Sequence, residues 1–365
     1  MAVETPTPTR STVGVTDASQ LRTKSLPNWT PWVVVVAAIA LAYLLINLTG
    51  AGGWVLTGVV AAALFVILMG AAATVVEGGR SARNRMATIL IYGAFVLALL
   101  PLLSVVWTLL NKGTERLDGN FFNSSMNNIG PFDSNGGAYH AIIGTIEQAG
   151  IATLITVPLG ILGAIYIVEY GRGWFANTIR FFVDVMTGIP SIVAGLFILS
   201  FWVFTITPLY SSDGFAHYSG FAAGLSLSVL MLPTVVRSSE EMLRLVPTAL
   251  REGSYALGVP KWKTITSIVL PTAGPGIVTG VMLAVARACG ETAPVLLVAG
   301  GASAINFNLF DGNQSSLSLF VYQQAGVASE FSPGRAWTAA LTLVVLVLVL
   351  TVAAKLLARR NKLAR

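Results

Sequence analysis

The sequence predicts an all-α polytopic membrane protein with about eight transmembrane helices. Only 10% of the 365 residues are charged, against about 25% in an ordinary soluble domain, and 55% are hydrophobic. So few charges could not cover the surface of a water-soluble protein of this length. The same composition excludes intrinsic disorder for the chain as a whole.

Eight stretches are apolar enough to cross a bilayer, which takes about 20 mainly apolar residues. They cover residues 32–48, 54–76, 86–110, 142–168, 179–206, 221–236, 276–299 and 337–357. The first two are joined by a Gly-rich turn, and we interpret them as a hairpin added to a six-span core. The domain prediction is a disordered cytoplasmic tail at 1–28, a transmembrane hairpin with a basic loop at 29–85, and the core at 86–365.

The positions of Lys and Arg predict which side of the membrane each segment faces. If the N-terminus is cytoplasmic and the spans alternate, 18 of the 22 Lys and Arg residues lie in cytoplasmic segments and 3 in outer segments. An excess of basic residues is typical of cytoplasmic loops. We therefore expect both termini in the cytoplasm. The net charge of +6 then reflects topology and does not indicate nucleic-acid binding.

Several kinds of catalytic and metal site are missing from the sequence. It has no G-x-x-x-x-G-K-[ST] phosphate loop, so the chain is not expected to hydrolyse ATP by P-loop chemistry. Cys289, His140 and His217 are too few for a convincing metal cluster, and both histidines are expected to be solvated near outer span ends. Without a nucleophile elbow or a zinc motif either, transport or scaffolding in the membrane remains.

The polar segment 237–272 predicts two short helices on the cytoplasmic side. The first covers 248–257 and is ended by Gly258 and Pro260. The second begins near Lys261 and ends before Pro271. Two short helices broken at a glycine form an elbow that could insert into a cleft on another protein. Periodicity alone is equally consistent with an amphipathic connector lying on the bilayer surface.

The spacing of this segment resembles the EAA loop of ABC importer permeases, E-A-A-x3-G-x9-I-x-L-P. Gly253 and Ser254 replace the two alanines of that pattern, and both are still small. The resemblance implies that this loop couples the membrane helices to an ATP-binding subunit. The predicted coupling residues are Glu252, Gly253, Ser254, Ala256, Gly258, Ile268, Leu270 and Pro271.

Span seven contains two charged residues, Arg287 and Glu291. A charge at the bilayer centre costs about 2.5–3.5 kcal/mol on insertion scales, so such residues are functional candidates by default. Their spacing of four predicts that they share one helical face and pair. One interpretation is a neutralised pair that only packs helices; the other is a fixed positive charge on an anion path. Pro294 is expected to break the helix beside that path.

Other charged residues near span ends are interpreted as structural. Glu147 in span four is expected to bond with Gln148. Asp184 near the inner end of span five is expected to pair with Arg180.

Three passages together resemble the PstA branch of the phosphate ABC transporter permeases. They are A-R-x-x-G-E-T-A-P at 286–294, P-L-G at 158–160 with the residues to 171, and G-I-P-S-I-V at 188–193. The likeness covers about residues 86–365 and implies a type I ABC importer permease-like six-helix core. It also implies that Arg287 and Glu291 serve substrate translocation.

The resemblance further implies the setting in which the chain works. The chain itself would not be catalytic and would bind no cofactor, because ATP and Mg would be bound by partner subunits. Its partners would be a PstC-like second permease, two PstB-like ATP-binding subunits and a PstS-like extracytoplasmic phosphate-binding protein. The location would be a prokaryotic plasma membrane. Two alternatives stay open: a permease for another oxyanion or small polar solute, and a stand-alone secondary transporter or channel.

Overall fold

The computed structural model describes residues 26–50, 53–171 and 173–363. The predicted tail at 1–28 lies outside these residues except for its last three positions. In the described part, eight helices are long and apolar enough to cross a membrane, which confirms the predicted fold class. The chain divides into two compact units, Met1–Val105 and Val106–Arg365.

The helices and their bounds follow the chain order. They are α1 (Thr30–Thr49), α2 (Trp54–Glu77), α3 (Gly79–Gly113), α4 (Gly119–Asn123), α5 (Tyr139–Ile165), α6 (Trp174–Thr187), α7 (Ser191–Ile198), α8 (Thr207–Tyr210), α9 (Gly220–Arg244), α10 (Thr248–Ala256), α11 (Lys261–Thr264), α12 (Leu270–Gly290), α13 (Ala293–Ala299), α14 (Leu317–Ala325) and α15 (Ser332–Leu363). Among the described residues, three π-helical segments extend them, at Tyr166–Tyr170 after α5, Leu199–Ile206 after α7 and Ile265–Val269 after α11.

In the first unit, α1 and α2 pack against each other as the predicted hairpin. Small residues are buried in both helices, Ala38 and Ala42 in α1 and Ala73 in α2. Small side chains let two apolar helices approach closely when lipid offers no hydrophobic driving force. Gly50 ends α1 in the left-handed conformation, at φ 68°.

The segment predicted as a basic loop is helical. α3 begins at Gly79, one residue after the turn at Gly78. Glu77 at the end of α2 lies 2.6 Å from the Arg85 guanidinium on α3, so the carboxylate partly neutralises this basic stretch. The predicted domain boundary after residue 85 consequently falls within a continuous helix.

The core of the second unit is built around α5, α9 and α12. α9 packs against both other helices and also against α13, so it lies at the centre. The contacting faces are rich in alanine, including Ala152, Ala222, Ala223 and Ala284. Close helix packing of this kind holds the functional side chains in fixed positions.

The predicted fifth span, 179–206, is wrong in its limits. α6 is a separate helix that ends before Pro190, and the spanning helix runs from Ser191 to Tyr210. Proline disfavours the α conformation in the residue before it, which separates α6 from α7. α6 is amphipathic, with Val183 buried and Phe181 and Phe182 exposed. Its charges, described below, tie it to α9.

The predicted polar segment 237–272 is also more helical than expected. α9 continues to Arg244, and the second short helix does not end before Pro271 but runs on as one spanning helix, Lys261–Gly290. The π-helical segment explains the continuity, because the Leu270 N–H donates to the Ile265 carbonyl and widens the helix just before the proline. Only the stretch 245–260 is left to connect the two spans.

Candidate functional site

The Arg287 and Glu291 side chains lie where the seventh spanning helix breaks. α12 ends at Gly290, and Glu291 has an extended backbone with φ −74° and ψ 126°. The two residues therefore do not share a helical face, and the helix breaks before Pro294, which lies in the next helix, α13. The expected pairing is nevertheless present, with Arg287 Nε 3.5 Å from Glu291 Oε1.

The two charges differ in their exposure. The Arg287 side chain is 64% exposed, whereas that of Glu291 is 20% exposed. A long, half-open ion pair contributes little stability, so it leaves most of the guanidinium free to interact elsewhere. Because Arg287 projects from a helix that is apolar enough to span a membrane, lipid is an unfavourable neighbour for it. The side chain must face water or polar groups of another subunit.

Serine side chains from α14 hold the break in place. Ser318 Oγ donates to the Glu291 carbonyl at 2.9 Å. Ser316 caps α14 by accepting from the Leu319 N–H, and its hydroxyl lies 3.0 Å from that of Ser318. These bonds satisfy backbone groups that the interrupted helix leaves without partners. Sequence reasoning made no prediction for α14, because its nine residues are too few for a spanning helix.

A chain of amides links this region to α5. Gln314 Nε2 donates to Glu147 Oε2 at 2.7 Å, and Gln148 Nε2 lies 3.3 Å from Gln314 Oε1. Glu147 and Gln148 therefore share Gln314 as a partner, in place of the predicted bond between them. The approach requires Gly144, because a Cβ there would lie 2.0 Å from the Ser315 carbonyl oxygen.

The second candidate site is the elbow, by which we mean α10, α11 and the turn between them. Glu252, Gly253 and Ala256 are exposed on α10, and Gly258 ends it with φ +74°. Ser254 points inward and is buried, with its hydroxyl 2.8 Å from that of Thr264. The small residue that replaces an alanine thus joins the two short helices.

The remaining predicted coupling residues lie on the spanning helix that follows. Ile268 belongs to the π-helical segment, and Leu270 and Pro271 begin α12. All three are partly buried. They are therefore continuous with the helix that carries Arg287, and not with a separate loop.

An ion pair that the sequence did not indicate anchors the elbow to α5. Arg251 lies between two carbonyls of the α9 end, at Leu243 and Val246, and the carboxylate of Glu169 in the π-helical segment after α5. The Arg251 and Glu169 side chains are 14% and 5% exposed. Lys261 adds a contact over the ring of Tyr170, 4.5 Å from its centre.

A buried glutamate at the same end binds three arginines. Glu240 of α9 lies 3.3 Å from Arg180 of α6, 2.6 Å from Arg244 and 3.7 Å from Arg237. Arg237 also pairs with Asp184 of α6. The predicted Asp184–Arg180 pair is therefore wrong, because both residues bind partners on α9. These bonds hold the amphipathic α6 against the end of the bundle.

Comparison with known proteins identifies the family. The model of the family "binding-protein-dependent transport system inner membrane component" matches residues 156–363. The phosphate transport system permease protein PstA 1 of Mycobacterium tuberculosis H37Rv is 46% identical over 279 residues, which are 76% of this chain and 88% of that protein. PstA of Pasteurella multocida Pm70 is 35% identical over 278 residues, with 76% and 95% covered.

A solved structure shares the fold. A chain of a bacterial alginate ABC transporter, in complex with a periplasmic protein bound to alginate pentasaccharide, aligns with a TM-score of 0.51 and 15% identity over 76% of this chain and 93% of that chain. This likeness supports the permease fold alone. The family model and the relatives show that the chain belongs to the binding-protein-dependent inner membrane transport components and, among them, to the PstA permeases.

Proposed function

We propose that this chain is a membrane-spanning subunit of an ATP-driven importer of inorganic phosphate. The observation that carries the proposal is Arg287, an exposed guanidinium at the break between α12 and α13 of an apolar spanning helix. A positive charge that lipid cannot solvate suits an aqueous path for an anion. The choice of phosphate as substrate rests on the relatives, which are phosphate transport system permease proteins 35–46% identical to this chain.

Arg287 would bind phosphate weakly and transiently through its positive charge. Its pairing with Glu291 at 3.5 Å partly neutralises the guanidinium, which keeps binding weak. Weak binding is required, because conduction needs an ion that can leave its site as well as enter it. A break in the helix also frees backbone groups beside the path.

Energy for import would come from other chains. The sequence has no phosphate loop, so ATP and its Mg would be bound by two PstB-like subunits. The exposed face of the elbow, with Glu252, Gly253 and Ala256, would dock on one of them. A PstC-like permease would complete the path, and a PstS-like extracytoplasmic protein would deliver phosphate. This chain would bind no cofactor and catalyse no reaction itself.

The proposed orientation has both termini in the cytoplasm of a prokaryotic cell, with the elbow on the same side. The distribution of Lys and Arg supports it. Cysteine labelling at residue 28 and residue 303 from outside intact cells tests it, since only residue 303 is expected to react.

Transport assays test the substrate. In a strain that lacks its own phosphate permease, co-expression with partner subunits should restore uptake of labelled phosphate that excess sulfate or molybdate does not inhibit. Uptake of sulfate without uptake of phosphate would instead show that the substrate is another oxyanion. Uptake by the chain reconstituted without any ATPase would indicate a stand-alone transporter and contradict the role of the elbow.

A further inference from the structure

A cavity of about 160 Å³ lies at the end of the second unit where α5 and α15 begin. It is separate from the Arg287 break, and none of the predicted site residues lines it. Its walls include His140 near the start of α5, Gln324 of α14, and Ser332 and Arg335 in the first turn of α15. The volume is enough for about five water molecules or for one small polyatomic ion.

Four side chains of this cavity have a buried polar atom without a partner. They are the Nδ1 atom of His140, the Oε1 atom of Gln324, the Oγ atom of Ser332 and the Nε atom of Arg335. All four residues are at least nine-tenths buried, at 5%, 8%, 0% and 1% exposure. Buried polar groups without partners are rare in native proteins, and each one destabilises the fold. Four such residues around one cavity make it a candidate site for a polar ligand. The expectation that His140 is solvated is also wrong.

The positive charge of Arg335 indicates that the ligand of this cavity is an anion. Its guanidinium donates to the carbonyls of Asp133 and Asn135, which are neutral acceptors. The nearby Asp133 carboxylate accepts from the Gly130 N–H at 2.7 Å. Within the described residues, no carboxylate lies within ion-pair distance of Arg335. The Asp133 carboxylate attracts Arg335 without forming an ion pair, and Arg116 adds a second positive charge nearby, so an anion is favoured over water.

The hydrogen-bond donors and acceptors of the cavity indicate which kind of anion would bind. Arg335 Nε and Ser332 Oγ can donate to the oxygens of an anion, whereas Gln324 Oε1 can only accept. The set therefore matches an oxyanion that still carries a proton, such as hydrogen phosphate, and fits sulfate less well. The same requirement separates the free ion from a lipid headgroup, because the phosphodiester of a phospholipid carries no proton at neutral pH.

We propose that this cavity binds one protonated oxyanion of the phosphate class between α5, α14 and α15. Binding in this cavity does not depend on transport, and the site is distinct from the weak phosphate site at Arg287. It would also fix the segment 133–136, whose carbonyls Arg335 and Arg116 bind alternately. An occupied cavity would therefore order the loop that lies over it.

Equilibrium binding of radiolabelled inorganic phosphate tests the proposal. The complex would be purified without the extracytoplasmic binding protein, in detergent free of phospholipid, and with Arg287→Gln so that the path site does not contribute. We expect saturable binding that Ser332→Ala weakens about tenfold, since a hydrogen bond to a charged group is lost. Gln324→Met should weaken it as well.

A matched control is available on the same helix. Thr338 is fully buried, and its hydroxyl also has no partner, but it does not line the cavity. Thr338→Val should therefore leave phosphate binding unchanged.

Three results would overturn the proposal. They are no saturable binding in the Arg287→Gln complex, equal competition by sulfate, or equal loss in Ser332→Ala and Thr338→Val. The outcome is independent of the transport assay, because binding is measured in a variant from which the path charge has been removed. Failure of phosphate uptake would refute the proposed function without affecting this measurement.

Discussion

Arg251 of α10 donates two hydrogen bonds to a single oxygen of Glu169, at 2.9 Å from Nε and 2.7 Å from Nη2. The pair joins the elbow to the end of α5 across 82 positions of sequence. Since both side chains are largely buried, the elbow is held by charge complementarity and not by apolar packing alone.

Removing the carboxylate from this pair should loosen the elbow. Glu169→Gln leaves the Arg251 charge buried without a counter-charge, which is expected to destabilise the elbow locally by about 3 kcal/mol. Hydrogen exchange of the α10 amides should become correspondingly faster. The exposed Glu330→Gln serves as the control and should change nothing. Unchanged protection of α10 in Glu169→Gln would mean that the pair does not anchor the elbow.

Phosphate uptake should depend on the charge of Arg287. Arg287→Gln is expected to lower uptake at least about tenfold, because a charged hydrogen-bond donor to the anion is lost. Co-purification of the partner subunits should persist, since the side chain is exposed in this chain. Arg287→Lys, which keeps the charge, should retain more uptake than the Gln variant. Normal uptake in Arg287→Gln would leave the residue with a structural role only.

Docking of the ATPase should depend on the exposed face of α10. Glu252→Lys reverses a charge on that face and is expected to remove the ATP-binding subunit from a pull-down. Glu241→Lys is the matched control, because Glu241 is equally exposed but lies on α9 before the elbow. If Glu252→Lys retains the subunit as fully as Glu241→Lys does, the elbow is not the docking surface.

Two glycines of α5 should respond in opposite ways to the same substitution. Gly144→Ala would place a Cβ 2.0 Å from the Ser315 carbonyl oxygen and should destabilise the protein by about 1–3 kcal/mol. Gly150→Ala meets open space on the same helix and should stabilise it by about 0.5–1 kcal/mol. Thermal unfolding of the purified chain measures both. Equal shifts would show that the 314–316 segment does not pack on α5 as closely as described.

A histidine between two aspartates should make stability depend on pH. The hydrogen bond to Asp213 raises the pKa of His217 above its ordinary value of about 6.5, and Asp311 adds to this at 3.4 Å. Bonds from the Phe215 N–H and from His217 lower the pKa of Asp213.

The sign of the effect follows from the raised pKa. The contribution of His217 is fully present below about pH 6.5 and is lost as the pH rises through the raised value. We therefore expect the midpoint of thermal unfolding to fall over that interval in the natural protein and to change less in His217→Gln. Parallel pH profiles would contradict the assignment.

The number and class of spans could be read from the sequence because hydropathy over 20 residues is a local property. The limits of spans five to seven could not. Glu240 falls in the predicted polar segment, yet it is buried on α9. It pairs there with Arg180, 60 positions earlier, and with Arg237 and Arg244, 3 and 4 positions away. The sequence around Glu240 gives no sign of its pairing with α6. The sequence alone therefore does not distinguish this buried glutamate from an exposed one.

The candidate site shows the same limit. The spacing of Arg287 and Glu291 was sufficient to predict their pairing, although the backbone between them is not helical. Ser318, which bonds to the break, belongs to the short helix α14, and Gln314, which bonds to α5, lies in the loop before it. Only their run of small polar residues, next to an apolar stretch, could have signalled burial.

The helix from Lys261 to Gly290 has a mechanical consequence. From Lys261 in the elbow to Arg287 at the break, 26 residues rise about 39 Å at 1.5 Å each. Over that length a tilt of about 5° displaces the far end by about 3 Å, roughly one hydrogen-bond distance. The helix is thus a lever arm in which a push of modest angle at one end can open or close an ion contact at the other.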